Sequence, residues 1–366
     1  MKKSILLTVI ATAWVSSPAW AVTTMVPLAT FGGGDGWLAP GEGGYTFLGT
    51  ANNERGLAFG NNHLYLVSRS GGNNVRILDK ATGADLGSLN TTGISGGTFA
   101  VNMAAVGGDG AIYVANLTIN MATTPYKVYR WADESSAPVE VLNTTTLLSG
   151  ARLGDTLAAV GSGASTRLVA GFGSTPSVAG NNGYGIIDPT AGTATAIAFA
   201  ATPPNGGDFR LGISFAGPNH VFGTQTGGSY RYTSFSGSTG TLIASGSLTA
   251  VNSQATAERL MAYAEIAGVP VLAVQSTGDS HVSLYDVTDP ANPQLLATAN
   301  NTTSSNANAN GTGQVVWGDI VGKTATLYAM NTNNGIQAFT VTVPEPATLG
   351  LLALALAAAG RRGRRA

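Results

Sequence analysis

The sequence predicts an all-β fold in which short antiparallel sheets stand in a ring, and three observations predict it. Between residues 22 and 342 no stretch of a dozen residues keeps a helical apolar period, whereas runs of four to eight β-branched, aromatic and small residues recur between turns rich in Gly, Asn, Asp and Pro. The runs fall into groups of four that repeat about every 50 residues, the length of one four-stranded unit. The last group holds only three runs, and an unclaimed run at 26–31 supplies its fourth, so the two ends of the body meet in one shared sheet.

Taken in order, the expected strands are 56–59, 63–68, 75–79 and 85–89 in the first group, and 101–106, 111–116, 126–131 and 139–142 in the second. The third holds 157–160, 167–171, 184–188 and 195–199, and the fourth 211–215, 220–224, 229–233 and 241–244. A fifth runs through 260–266, 270–275, 282–286 and 294–297, and the last has 314–320, 324–330 and 336–341. Each group opens on small apolar residues, continues with a regular strand and ends on a weaker one. Such sheets around an axis leave few strand edges exposed, so the expectation is a β-propeller of six blades, each of four antiparallel strands. A seventh blade built from residues 32–53 is the alternative, and a pair of β-sandwiches the outside option.

Composition narrows the function classes. The 366 residues carry 18 Lys and Arg against 19 Asp and Glu, and only 10% are charged, against about 25% in an average soluble domain. Hydrophobic residues at 44% offer enough apolar surface to offset the entropy of ordering. Gly accounts for 50 residues with no third-residue period, which excludes a collagen-like chain. With no Cys, a disulfide framework, thiol catalysis and zinc–thiolate sites are excluded.

Both ends read as addresses. In residues 1–21 Lys2 and Lys3 precede an apolar stretch over 5–15, and Ala19 and Ala21 put small residues where signal peptidase needs them, so an N-terminal signal helix is expected to be cut after Ala21. At the other end Val343, Pro344, Glu345 and Pro346 precede an apolar run at 347–360, and Arg361, Arg362, Arg364 and Arg365 close the chain. Those fourteen residues make a helix of about 21 Å, short of the roughly 30 Å hydrocarbon core, so the run reads as a short, transient membrane helix. The prolines keep Glu345 extended at the membrane surface, and the arginines stay in the cytoplasm. The domain plan is a signal peptide at 1–21, a propeller-like body at 22–342 and a sorting segment at 343–366. Trimming both ends removes six basic residues and one acidic, leaving a body of net charge −6, which excludes nucleic acid as a partner because its phosphates repel such a body.

The tripeptide Pro344-Glu345-Pro346, the short apolar run and the terminal Arg cluster, in that order, resemble the PEP-CTERM sorting signal of Gram-negative bacteria. The resemblance implies recognition by a membrane-embedded cysteine transpeptidase of the exosortase type, removal of the tail, and export across the inner membrane to the cell surface, outer membrane or extracellular matrix. It also implies an association with exopolysaccharide and with biofilm or floc formation. Residues 281–293, where an Asp289-Pro290-Ala291-Asn292-Pro293 turn follows an apolar strand, resemble one repeat of bacterial surface propellers. Residues 54–131, with Leu66-Val67-Ser68-Arg69-Ser70 and Ala111-Ile112-Tyr113-Val114-Ala115-Asn116, are similar to a domain of unknown function that recurs in PEP-CTERM proteins and supplies no activity to transfer.

Arg55, Arg152, Arg210 and Arg259 stand before or at the first strand of four groups. First strands line the channel of a propeller, so these arginines, gathered at one mouth, would bind a carboxylate or sulfate through bidentate forks. Each has an acid nearby, at Glu54, Asp155, Asp208 and Glu258, and salt bridges that hold blade register are the competing explanation. Trp37, Trp131 and Trp317 are candidate platforms for sugar rings, against core or rim packing. His63, His220 and His281 are not spaced for a metal on one element, and Gly161-Ser162-Gly163 is an incomplete nucleophile motif. The low-complexity tract at 300–313 reads as a mobile surface loop. No catalytic residue, metal or cofactor is assigned. The expectation is a non-catalytic exported propeller with a binding or structural role. The alternative is a propeller hydrolase, lyase or lactonase, which would need Asn102, Asp155, Glu265, Gln314 and Asp319 to converge on the axis.

Overall fold

The computed structural model describes residues 22–174, 183–199 and 208–345. The expected signal helix, with Ala19 and Ala21, lies outside them, as do Pro346, the apolar run and the terminal arginines. Among the described residues no helix is long and apolar enough to cross a membrane.

The chain opens with β1 (Thr24–Pro27) and the two-residue β2 (Trp37–Leu38). The first meander is β3 (Glu54–Gly60), β4 (His63–Ser68), β5 (Asn74–Asp79) and β6 (Asp85–Ser88). The second is β7 (Phe99–Val106), β8 (Ile112–Leu117), β9 (Tyr126–Trp131) and β10 (Val139–Thr144). In the third the inner strand is broken into β11 (Ala151–Leu153) and β12 (Ala158–Val160), both paired with β13 (Arg167–Ser174), which leads to β14 (Tyr184–Asp188) and β15 (Thr193–Phe199). The fourth is β16 (Gly212–Phe215), β17 (His220–Thr224), β18 (Ser229–Ser236) and β19 (Thr239–Ser247). Next come β20 (Glu258–Ile266), β21 (Val269–Ser276), β22 (Val282–Asp286) and β23 (Gln294–Ala299), and finally β24 (Gly313–Val321), β25 (Thr324–Asn331) and β26 (Ile336–Thr342). Four groups are separate sheets. The third and fourth are joined into one nine-stranded sheet by a short parallel pairing of Ala198 and Phe199 with Thr239 and Gly240.

Position in the meander explains the sequence of each strand. Second strands are covered on both faces, so β8 is buried at every residue, whereas the outer β10 leaves Val139 exposed and alternates with polar positions. Asp79, Asp133 and Asp188, at or just after the ends of third strands, accept hydrogen bonds from backbone N–H groups two residues on and so fix the turn into the fourth. The inner strands meet in a closed circuit: β3 touches β7, β7 touches β12, β12 touches β16, β16 touches β20, β20 touches β24 and β24 returns to β3. Each apolar core lies between two neighbouring groups, as where Tyr65 and Val75 pack with Val114 and Trp131. Backbones approach so closely at this circuit that a Cβ on Gly56 would fall 2.8 Å from the Asn102 carbonyl oxygen, and one on Gly212 would fall 1.9 Å from that of Arg259. The arrangement of sheets is β-propeller-like.

The closing strand comes from the N-terminus. β1 pairs antiparallel with β26, Thr24 opposite Thr342 and Pro27 opposite Phe339, and β2 continues the same edge with Trp37 opposite Gln337. It begins two residues earlier than 26–31 and ends at a proline, which cannot extend a hydrogen-bonded ladder with its own N–H. Residues 32–53 form no sheet of their own: they make two single-turn 3-10 segments around β2. A chain lacking residues 22–27 leaves β26 with an open edge, and we expect it to melt at least about 5 °C lower and to self-associate. Calorimetry and light scattering read both effects; unchanged melting would show that β1 does not hold the ring.

Candidate functional site

The four arginines do gather at one mouth of the circuit, where the inner strands begin. Arg55, at the start of β3, is only 2% exposed; its Nε donates to Asn102 Oδ1 on β7 at 3.2 Å and its Nη1 to Thr312 Oγ1, just before β24, at 2.7 Å. Asn102 in turn donates to the Gly154 carbonyl at 2.6 Å, in the break between β11 and β12. That break places Asp155 where Arg152 grips both its oxygens at 2.5 and 2.7 Å and Arg210, just before β16, adds its Nε at 2.8 Å. Arg259 on β20 donates to Thr277 Oγ1 at 2.7 Å and runs beside Gly311, the neighbour of Thr312.

A fifth arginine joins them. The guanidinium of Arg69 lies 3.6 Å from the centre of the Phe99 ring, and that of Arg55 lies 5.3 Å from the same ring. Arg69 follows a second strand, outside the first-strand pattern read from the sequence. Loops between second and third strands open on the same face as the starts of first strands, and that alternation is the signal that finds it.

The charges at this mouth shape one another. Burial would raise the Asp155 carboxyl, but the hydrogen bonds and charges of Arg152 and Arg210 outweigh it and hold it below the usual carboxylate range. Burial pulls the Arg55 guanidinium down to about 10. Glu54, fully buried, is raised chiefly by burial; its Oε1 accepts from the Asn333 N–H at 2.8 Å, while its Oε2 is buried without a partner among the described residues, as are Arg69 Nε and Arg259 Nε. Arg55, Arg69, Arg152, Arg210 and Arg259 thus stand with the carboxylates of Glu54 and Asp155, Asp208 beside them pairs with Arg231 Nε at 3.2 Å, and the Nε groups of Arg69 and Arg259 are unspent among the described residues.

Below the arginines, Gln314 closes the axis. From β24 its amide nitrogen donates to the Ala104 carbonyl on β7 at 2.8 Å and to the Leu157 carbonyl at 3.0 Å, and its oxygen accepts from the Leu57 N–H on β3 at 3.0 Å. It crosses an axial cavity of about 230 Å3 whose far mouth is apolar, with Phe59, Val106, Ala159, Tyr263 and Trp317 half-exposed around it. The five axial polar candidates do not converge. Asn102 and Asp155 serve the arginines, Gln314 the strands, Glu265 accepts from the Tyr263 hydroxyl at 3.3 Å and Asp319 pairs with Lys80 at 2.5 Å. Among the described residues no group of three His, Asp or Glu is placed to hold a metal ion.

The tryptophans separate. Trp131 is fully buried between the first and second groups with its Nε1 on the Asn90 carbonyl at 2.8 Å, so it is no sugar platform: the end of β9 points it into the core. Trp37 is half-buried on β2 with its Nε1 on the Asn334 carbonyl, and Trp317 stands at the apolar mouth. His63 meets Glu134 at 2.6 Å, His220 stacks on Tyr232, and His281 lies between Glu258 at 2.9 Å and Asp279 at 2.6 Å. The tract at 300–313 is not a loose loop. Asn306 donates to the Asn333 carbonyl, Asn308 to Asn331 Oδ1 and Asn334 to the Asn306 carbonyl, because short amide side chains can satisfy nearby backbone groups without secondary structure. At the C-terminus Val343 is 2% exposed and Glu345 is exposed.

Residues 342–365 match the PEP-CTERM protein-sorting motif. The chain carries a PEP-CTERM sorting signal. That signal implies an exported protein, processed by exosortase, a membrane transpeptidase, and placed at the cell surface or extracellular side of a Gram-negative bacterium. Residues 45–165 match a domain of unknown function, DUF4623. Its fold is similar to the crystal structure of a DUF4623 family protein from Bacteroides eggerthii DSM 20697, at 16% identity and a TM-score of 0.61 over 81% of this chain and 72% of that one. Weaker likenesses are to the WD40 repeats of RRP9 (9% identity, TM-score 0.47, 82% of this chain and 97% of that) and to BamB from Moraxella catarrhalis (14%, 0.36, 78% and 71%). No curated protein matches the sequence.

Two outcomes follow from the burial described above. Trp131→Ala is expected to cost about 3–5 kcal/mol in denaturant unfolding, and a loss below about 1 kcal/mol would place the ring at the surface. For His281, burial opposes the proton, but the Glu258 hydrogen bond and the charges of Asp279 and Glu258 outweigh it and raise the pKa above 6.5. Its contribution is therefore complete below about pH 6.5 and is lost as pH rises through the folded-state value. The melting temperature should fall from about pH 6 to pH 9 more steeply in the wild type than in His281→Gln; parallel curves would remove His281 from the account.

Proposed function

We propose that the mature protein is a non-catalytic binding propeller of the cell surface or extracellular matrix, cut after Ala21 by signal peptidase and freed of its tail by exosortase. We count it as six blades, taking the nine-stranded sheet as two that touch only through the pairing of β15 with β19. Its ligand in this reading is the carboxylate or sulfate of an exopolysaccharide, held at the arginine mouth in a matrix or biofilm.

One observation carries the reading: five guanidiniums converge on one end of a body whose net charge is −6. An acidic body repels an acidic polymer everywhere except at such a mouth, and the planar guanidinium fork matches carboxylate and sulfate geometry. The ion pairs with Asp155 fix register as well, so binding and packing use the same side chains. A non-catalytic role is supported by Gln314 and the axial acids, which are spent on strands, arginines and Lys80.

Retention on immobilised polygalacturonate and dextran sulfate, with neutral dextran as control, tests the proposal. Binding should weaken as salt rises. The double variant Arg210→Ala, Arg259→Ala should bind about tenfold or more weakly. Because Arg210 also pairs with the buried Asp155, Arg259→Ala alone, whose partner is the neutral Thr277, serves to separate lost binding from lost stability: it should weaken binding with little change in melting temperature. Arg55→Ala should instead lower the melting temperature, because it removes a buried link to Asn102 and Thr312. No retention, or retention indifferent to the double variant, would end the anionic-ligand reading.

A further inference from the structure

The sorting segment begins inside the folded body. β26 is clasped by β25 on one side and β1 on the other, and its last residue, Thr342, pairs with both Thr324 and Thr24. Val343 still belongs to that sheet: its N–H donates to the Lys323 carbonyl at 2.9 Å, and its side chain packs in the core between the fifth and last groups, 2% exposed. Pro344 is half-buried, and Glu345 is the first exposed residue. Only residues 344–346 separate this anchor from the apolar run, and three residues reach at most about 11 Å. An enzyme that cuts an extended peptide takes residues on both sides of the scissile bond. Here the upstream side is a paired strand.

Resting on the sorting signal, we propose that Val343 stays with the mature body, that the tail is cut on its C-terminal side, and that contact between body and motif slows the cut. The cut breaks one backbone C–N bond downstream of Val343. The exosortase cysteine sulfur takes the acyl carbon as a thioester, its proton passes to the departing tail amine, and water or an amine then accepts the acyl group and restores the thiol. Seating residues 341–343 in the enzyme would peel β26 from Lys323 and from β1, expose Val341 and Val343, and open the sheet that closes the ring. Folding and processing therefore compete for the same few residues. An unclosed body yields the motif freely, and a closed one lets the enzyme reach only what lies past Val343.

Pulse-labelled precursor in the native host, followed by intact mass, tests this with three chains. In one, Gly-Ser-Gly-Ser-Val is inserted between Val343 and Pro344, which preserves the Val-Pro-Glu-Pro order while lengthening the spacer. Another carries residues 343–366 behind an unrelated secreted domain and the same linker. We expect the natural chain to mature with Val343 retained, and both spaced chains to mature at least about threefold faster. A mature C-terminus upstream of Val343, or equal half-lives for the natural and spaced chains, would overturn the proposal while leaving the signal intact. If all three stay whole, the sorting reading falls and this one with it.

Discussion

The structure depends on the clasp around β26. Among the described residues no group of strands has a core of its own; each apolar cluster is shared by two neighbours, so the set is stable only as a closed circuit. Closing that circuit means pairing residue 24 with residue 342 across nearly the whole chain. The local meanders form from short-range contacts, and the clasp is the long-range contact that holds them in a ring. Nature's usual hazard of an open sheet edge is met here by the chain's own beginning.

The second constraint is the cost of burying charge. Only 10% of the residues are charged, and a group of the basic ones crowds around one mouth, where burial would be prohibitive without partners. Asp155 answers two arginines at once, Asn102 relays from Arg55 to the broken strand, and Phe99 offers its face to two guanidiniums. Gln314 then separates this polar end from an apolar one by satisfying three inner strands across the axis. The two ends of the cavity therefore differ in chemistry although the strands that build them are alike.

The strands and their grouping were legible because alternation and turn residues are local: β4, β8 and β22 sit within a residue or two of where the apolar runs place them. The gathering of Arg55, Arg152, Arg210 and Arg259 was legible for the same reason, once first strands were taken to line a channel. For Trp131 the sequence left a sugar platform open against core or rim packing, and the structure gives core packing, because a shift of one residue at a strand end decides which face the ring takes. The Asn-rich tract was misjudged because composition signals disorder, whereas here the turn at 331–334 supplies complementary amides from another strand pair.

By itself the sequence determined that this chain is all-β, that its C-terminal segment is a PEP-CTERM sorting signal, and that an N-terminal strand completes its last sheet, since each follows from the order of neighbouring residues. Tertiary structure alone decided that the Phe99 ring lies against the guanidiniums of Arg69 and Arg55, that Gln314 bars the axis and that Val343 is locked in the body. These depend on which loops and strands far apart in the chain come to share a face, and no local pattern encodes that distance.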